Sequence, residues 1–173
     1  WTVDKRYLNA DHFVTQREFN SQYKLRPADN AILTDKDPNY RVLDLSVDVF
    51  NDSHTSYFHK TIGGYSAAKL QRYQDMIDYF IIPEIQNLGN ALKQSPTLSS
   101  IEGSLSQQKA LNILNAKYII IDPNSAPINN RFAYGNAWFV KDYELVDTPD
   151  DEIITLKQID PKESAVINKE FQS

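Results

Sequence analysis

The feature that most constrains the fold is a short and almost wholly apolar segment, YIIID, at residues 118–122. A run this short and this apolar is typical of a central strand that is covered on both faces. Pro123 ends it, because proline cannot donate to a strand ladder. The segment QQKALNILNAK directly precedes it and has helical spacing. The sequence therefore predicts a helix that leads into a buried strand.

A second strand is predicted at residues 40–50, YRVLDLSVDVF, where apolar and polar residues alternate as in a half-buried strand. Asp44, Ser46 and Asp48 are expected on its polar face. Two further strands are predicted at 137–146 and 163–171. With the helices between them, the order of elements is β-α-α-β-β-α-β. This order predicts a mixed α/β (α+β) fold, with one layered domain at 41–173 that has a small mixed four-stranded sheet flanked by helices. Residues 1–40 are polar and turn-rich and are expected to form an arm that packs on this domain.

The predicted helices have recognisable starts and stops. Ser66 is suited to cap a helix whose inner face begins with Leu70, and Pro83 should break or kink that helix. The Ser-rich segment 94–107, QSPTLSSIEGSLSQ, is expected to be a connector. Thr148, followed by proline and acidic residues, predicts the start of the last helix.

Composition narrows the class of protein. The 173 residues are long enough for one packed core, and 41% of them are hydrophobic. The net charge of -5 argues against nucleic acid as a partner, since a phosphate backbone needs a basic face. The absence of cysteine excludes disulfides and thiolate metal sites. No apolar run approaches the ~20 residues of a membrane span, and no signal peptide is recognisable.

The first residues suggest a piece of a longer protein. The sequence starts at Trp1 without a methionine, and Lys5, Arg6 and Tyr7 follow. Aromatic and basic residues of this kind are common where a chain leaves a bilayer. An arbitrary chain boundary would explain the same start equally well.

The Gly-Gly pair in HKTIGGYSAAKLQRY raises the question of a phosphate-binding turn. A dinucleotide loop needs three spaced glycines, and a P-loop ends in Gly-Lys-Ser/Thr. Gly63 and Gly64 fit neither pattern. They are expected to serve backbone geometry, through positive φ and close packing. An anion site on backbone N–H groups is the alternative.

Two histidines and an acidic turn are candidates for chemistry. His54 and His59 are five residues apart in one loop, without the third ligand that a metal site needs. Nearby hydroxyls, at residues 53, 55 and 56, are candidate nucleophiles by proximity only. Asp35 and Asp37 resemble an Asp-X-Asp metal motif, but a solvated turn is the favoured interpretation. No metal or other cofactor is predicted.

A set of aromatic and polar residues is the better candidate for a site. Tyrosine and tryptophan can stack on sugar rings, while histidine, amide and carboxylate groups can bind their hydroxyls, although such residues also simply pack. The predicted glycan-binding residues are Asp52, His54, Tyr57, His59, Tyr65, Tyr134, Asn136 and Trp138. Asp52, His54 and His59 would bind hydroxyls; Tyr57, Tyr65 and Trp138 would stack.

Three blocks carry a resemblance to a known family. They are YRVLDLSVDVFNDSHTSYFHKTIGGYSAAKLQRYQDMID, ALNILNAKYIIID and GNAWFV, in this order. The opening VDKRYLN and the closing EIITLKQIDPKESAVI fit as well, so the likeness covers nearly the whole chain. The chain resembles the YfhO-like family of bacterial membrane proteins, in the form found in Bacteroidetes.

The resemblance implies a domain on the extracytoplasmic (periplasmic) side of a bacterial multi-spanning membrane protein. Proteins of this family are related to glycosyltransferases that use lipid-linked sugars and act on the cell envelope. Their catalytic acid is expected in a segment absent from this sequence, so no catalytic residue is carried over. The implied partners are the membrane segments of its own chain and an envelope glycan or lipid-linked sugar. Two alternatives stay open: a structural or protein-interaction module, and a metal-dependent hydrolase that uses His54 and His59.

Overall fold

The centre of the fold is a parallel pair of strands, β1 (Arg41–Asp44) and β2 (Ala116–Ile120). Val42 and Leu43 point to opposite faces of the pair, and both are wholly buried. Both faces are therefore covered, as is usual for parallel strands. The predicted buried strand that contains Ile119 is confirmed. Strand β1 is also covered on both faces and ends at Asp44, so the prediction of a longer, half-buried strand was wrong.

The computed structural model describes residues 13–171, and the predicted bilayer exit at Trp1, Lys5, Arg6 and Tyr7 lies outside this range. The other strands and the helices are α1 (Gln16–Gln22), α2 (Pro27–Ile32), α3 (His54–Phe58), α4 (Gln71–Met76), α5 (Ile82–Gln94), α6 (Leu98–Ser106), α7 (Lys109–Ile113), β3 (Ile128–Asn129), β4 (Asp142–Val146), α8 (Pro149–Gln158) and β5 (Ser164–Asn168). A π-helical turn joins α4 to α5, and a 3-10 turn follows β5.

The fold is mixed α/β, as predicted, but the strands form two sheets instead of one. The first sheet has the order β1-β2-β3, with β3 antiparallel to β2, and the second is the parallel pair β4-β5. Helix α8 connects β4 to β5, and a helical crossover lets two parallel strands pair with each other. The strand predicted from residue 137 begins only at Asp142, and Phe139, in the segment before it, is fully exposed.

The helix predicted from Ser66 begins at Gln71, and Leu70, expected on its inner face, is 79% exposed. Pro83 does not break the helix. The π-helical turn precedes it, and Ile82 N–H bonds Ile77 O, five residues back. A widened turn at this point relieves the clash that proline makes with the preceding turn.

The Ser-rich segment predicted as a connector forms helix α6 instead. Thr97 caps it, because its side chain accepts a hydrogen bond from Ser100 N. Ile101 and Leu105 are four residues apart, lie on one face and are buried against the core. Burial of this pair overcomes the low helix propensity of the serines.

The described part of the predicted arm joins the core through α2. Ala28 and Ile32 are wholly buried and pack against Tyr40, Val42 and Ile120 of the central sheet region. Within residues 13–171, none of the helices combines the length and the apolar character needed to cross a membrane.

Candidate functional site

A cluster of buried charged groups lies at the carboxyl end of β1. Asp44 is the last residue of the strand and is 2% exposed. Arg26 precedes α2, and Asp29 lies in its first turn. Arg26 Nε donates to Asp29 Oδ2 at 2.7 Å, and Arg26 Nη2 donates to Asp44 Oδ2 at 2.7 Å. One guanidinium therefore joins α2 to the end of the central strand.

Helix α3 adds two histidines and a threonine to the cluster. His59 Nε2 lies 3.2 Å from Asp29 Oδ1, and His54 Nε2 lies 3.5 Å from Asp29 Oδ2. Thr55 Oγ1 donates to Asp44 Oδ2 at 2.8 Å. His59 Nδ1 and His54 Nε2 are buried and have no hydrogen-bond partner among the described residues. We call Arg26, Asp29, Asp44, His54, Thr55 and His59 the charged cluster.

The protonation states follow from burial and pairing. Burial opposes the charge of Asp29, but hydrogen bonds from Arg26 outweigh it and lower the pKa of Asp29 to about 2. Burial likewise opposes the charge of Asp44, and hydrogen bonds from Ser46, Arg26 and Thr55 keep its pKa below the ordinary value. Desolvation lowers the pKa of His59 despite its contact with Asp29. At neutral pH the cluster thus holds one guanidinium, two carboxylates and a neutral His59.

The geometry of this cluster does not assemble a nucleophile with a base. The Thr55 hydroxyl donates to a carboxylate, Ser56 Oγ donates to Ser53 O, and Ser53 Oγ lies 3.3 Å from Tyr23 Oη. None of these hydroxyls contacts a histidine, which is the arrangement that activation requires. Among the described residues, no group of three or more histidine or carboxylate side chains is placed to hold a metal ion.

The other residues predicted near the histidines have separate roles. Asp52 Oδ1 accepts a hydrogen bond from His54 N at 2.6 Å and so fixes the start of α3. Tyr57 is 61% exposed and stacks on Tyr23, with ring centroids 4.5 Å apart. Tyr65 is 71% exposed on the following loop. The predicted stacking residues Tyr57 and Tyr65 thus have accessible rings.

The second half of the predicted site lies at the opposite end of the central sheet. Asn136 Oδ1 lies 3.4 Å from the side-chain amide of Asn115, which directly precedes β2. Tyr134 and Trp138 form an edge-to-face pair with centroids 4.9 Å apart, and Trp138 Nε1 donates to Pro161 O at 2.8 Å. Parallel strands begin at one edge and end at the other, so the structure does not bring the two predicted halves together.

The Gly-Gly pair has a purely geometric explanation. A Cβ atom at Gly63 would lie 1.7 Å from the carbonyl oxygen of Val49, so no side chain fits there. Gly64 has a φ of +96° and donates its N–H to the same oxygen at 2.7 Å. No helix begins until Gln71. The prediction that these glycines serve backbone geometry is confirmed.

The Asp-X-Asp segment is a turn, as expected. Asp37 N donates to Asp35 Oδ1 at 3.0 Å, and Asp35 Oδ2 accepts from Lys117 Nζ and from Tyr118 Oη. The hydrogen bond from Lys117 lowers the pKa of Asp35 to about 2. Asp35 therefore anchors the turn after α2 to strand β2.

Sequence reasoning missed Arg26, Asp29 and Asp44 as site residues. One signal was available: RPAD combines proline at a helix start with an acid in the first turn. Asp44 had been assigned to the solvent face of a half-buried strand, and helix α2 covers that face.

No protein-family model matches the chain, and neither the curated proteins nor the solved structures contain a significant match.

Proposed function

We propose that the chain is a non-catalytic, glycan-recognising extracytoplasmic domain of a multi-spanning bacterial membrane protein. The parent protein in this proposal is YfhO-like and transfers sugar from a lipid-linked donor to the cell envelope. That part rests on the sequence blocks that resemble the family. The first two blocks supply β1 and β2, the centre of the fold, so the likeness concerns the core of the domain.

One observation carries the non-catalytic role: the two carboxylates of the charged cluster are bonded to Arg26 and Thr55 within the cluster. A catalytic acid or base must be free to meet a substrate and exchange a proton with it. Here Arg26 donates hydrogen bonds to both Asp29 and Asp44, and Thr55 donates a further hydrogen bond to Asp44. His59 is wholly buried at its side chain. These groups hold α2 and α3 against the end of β1.

Two aromatic pairs, each with one exposed member, are available for contact with a sugar. One is formed by Tyr57 and Tyr23 beside the charged cluster. The other is formed by Tyr134 and Trp138 at the far end of the sheet. Rings with one polar end and an accessible face are suited to stacking on a sugar and to hydrogen bonding its hydroxyls.

The test is a titration of the 173-residue protein with envelope oligosaccharides and soluble sugar phosphates, followed by NMR shifts of backbone amides. We expect saturable shifts and no turnover of the added sugars. Tyr57→Ala and Tyr134→Ala identify which surface binds. Tyr143→Ala is the matched control, because Tyr143 is 53% exposed on the second sheet.

Absence of any shift in a folded sample would contradict glycan recognition and would favour a structural or interaction module. Hydrolysis of a substrate that depends on His54 or His59 would contradict the non-catalytic role.

A further inference from the structure

Helix α5 presents an uncharged polar stripe at its carboxyl-terminal half. The stripe consists of Asn87, Asn90, Ala91 and Gln94, whose spacing of three, four and seven residues places them on one face. The three amides are exposed. Charged residues make up 24% of the chain, yet none is in this stripe.

Helix α6 presents a matching stripe across a groove. It consists of Ser100, Gly103, Ser104 and Gln107, with the same spacing, and again carries no charge. The two stripes line an open groove with a volume of about 570 Å³. This volume is within the range of roughly 300–1,000 Å³ that is usual for small-molecule sites.

The amides of this groove have free hydrogen-bonding capacity. Within residues 13–171, the side chains of Asn87, Asn90, Gln94 and Gln107 make no hydrogen bond to another protein atom. Gln108, by contrast, is buried and donates to Ser104 O at 2.8 Å. Each free amide offers two donor hydrogens and an acceptor oxygen. The groove can therefore both donate to and accept from the same ligand.

Helix stability does not explain this composition. Asparagine, serine and glycine are poor helix formers, and an exposed position would favour alanine, glutamate or lysine. Local choices that oppose the fold concentrate at functional sites. The stripes of α5 and α6 place such residues on both sides of one groove.

The groove continues into a second cavity that has an aromatic wall. Gln107 and Gln108 line both, and the second cavity, of about 350 Å³, is also lined by Tyr134. Trp138 packs edge-to-face on Tyr134 and is anchored to Pro161 O. A sugar ring in this cavity would have an aromatic neighbour beside the amides.

We propose that the α5–α6 groove binds an oligosaccharide of neutral sugars, whose chain extends toward Tyr134. The groove has no cation for a phosphate or a carboxylate. At the second cavity, Lys109 donates its ammonium hydrogens to Lys157 O and Ile159 O, and Lys162 Nζ lies over the Tyr134 ring, 5.2 Å from its centroid. A protein partner is disfavoured, because interface centres use apolar and aromatic anchors and the groove offers only Ala91. This inference rests on the glycan recognition proposed above and assigns its site.

The experiment uses a groove-filling variant that favours the helix. Gly103→Leu places a side chain in the groove, since a Cβ at Gly103 meets no atom within 4 Å, and leucine is the better helix former. Gly89→Leu is the matched control: Gly89 is in α5, its Cβ space is also open, and it lies off the stripe. Both variants and the unmutated 173-residue protein are titrated with maltotetraose and N-acetylchitotetraose, and the NMR shifts of the backbone amides are recorded.

We expect at least one tetrasaccharide to shift the amides of the two stripes. Gly103→Leu should weaken this binding at least about ten-fold, as expected for the loss of one or two hydrogen bonds, and Gly89→Leu should not. Saturable shifts elsewhere that Gly103→Leu leaves unchanged would overturn the groove assignment and leave the proposed function standing. No shifts with any sugar would overturn both. Stripe shifts that depend on protein concentration without sugar would instead identify a contact between copies of the chain and overturn the assignment.

Discussion

The charged cluster makes a quantitative prediction about stability. Arg26→Met keeps much of the length of the side chain and removes its charge. The substitution deletes four side-chain hydrogen bonds, to Asp29, Asp44 and Ser46. It leaves two carboxylates without their cation, and their side chains are 0% and 2% exposed.

The expected loss is about 3 kcal/mol in the free energy of unfolding. Removing one partner of a buried ion pair costs roughly 3–5 kcal/mol. The lower end applies because the side chain of Arg26 is itself 16% exposed, so water can reach part of the site. With a urea slope of about 2 kcal/mol per molar, the midpoint should fall by roughly 1.5 M. Small domains have only ~5–15 kcal/mol in total, so this is a large fraction.

The loss of stability caused by Arg26→Met should also depend on pH. In the unmutated protein the pKa of Asp29 is about 2, below its ordinary value of 3.8. Its contribution to stability is present above pH 4 and is lost as the pH falls toward 2. Without Arg26, burial should raise the folded pKa of Asp29 and Asp44 above the unfolded value. The variant should therefore lose stability as the pH rises, and its deficit should be largest near pH 7 and smallest near pH 3.

The assay is urea unfolding, followed by circular dichroism at several pH values. Arg72→Met is the matched control, because Arg72 has a side chain that is 46% exposed and pairs with Glu152 and Glu170. A surface pair of this kind contributes less than about 1 kcal/mol. If Arg26→Met were no more destabilising than the control, the argument that bonds within the charged cluster hold the two carboxylates would fail. The histidines and Asp29 would then have to be regarded as groups held ready for a ligand.

Two further substitutions, and Gly89→Ala as a control, test the core and the Gly-Gly turn by urea unfolding. Glu84→Ala should destabilise by about 2–4 kcal/mol, because the buried carboxylate accepts from Ala110 N and Leu111 N and both would lose their partner; a loss below 1 kcal/mol would mean that water replaces it. Gly63→Ala should destabilise by more than about 3 kcal/mol through the clash with a backbone carbonyl, whereas Gly89→Ala should stabilise by up to about 1 kcal/mol; equal effects of the two would refute the close contact.

The central strands could be predicted because their apolar pattern is local, but their burial could not. Leu43 and Leu45 alternate with polar residues, which correctly indicates a strand. Asp44 was assigned to solvent from the same alternation. The strand is covered on its second face by α2, a contact that depends on tertiary packing. Once that face is covered, Asp44 needs a partner such as Arg26.

The grouping of candidate site residues failed for a topological reason. His54 and Tyr134 have residue types that suit a sugar site, and residue type is visible in a sequence. Their positions are set by where each segment attaches to the sheet. The segment of His54 attaches at the end of β1, and that of Tyr134 attaches before the start of β2, through Asn112 O. Because β1 and β2 are parallel, the end of β1 and the start of β2 lie at opposite edges of the sheet. This pairing cannot be read from the sequence.

Helix α6 shows how the missed groove escaped sequence reasoning. Ser and Gly residues in 94–107 indicate a connector by propensity. Leu98, Ile101 and Leu105 have helical spacing over only two turns, which is a weak periodic signal. The buried pair commits the segment to a helix, and the same helix then aligns Ser100 and Ser104 into a stripe. The serine and glycine residues that made the helix hard to predict also make its exposed face polar and uncharged.

The carboxylates of the charged cluster and the amides of the α5–α6 groove differ in whether they have partners within the protein. In the charged cluster, Arg26, Asp29 and Asp44 satisfy one another and are withdrawn from water, which suits a role in joining elements. In the α5–α6 groove, the exposed amides of Asn90 and Gln94 have no partner among residues 13–171, and asparagine is a poorer helix former than alanine or glutamate. Hydrogen-bonding groups that oppose local stability and remain free are most simply explained by a ligand that uses them. The groove, and not the histidines, is therefore where recognition should be sought first.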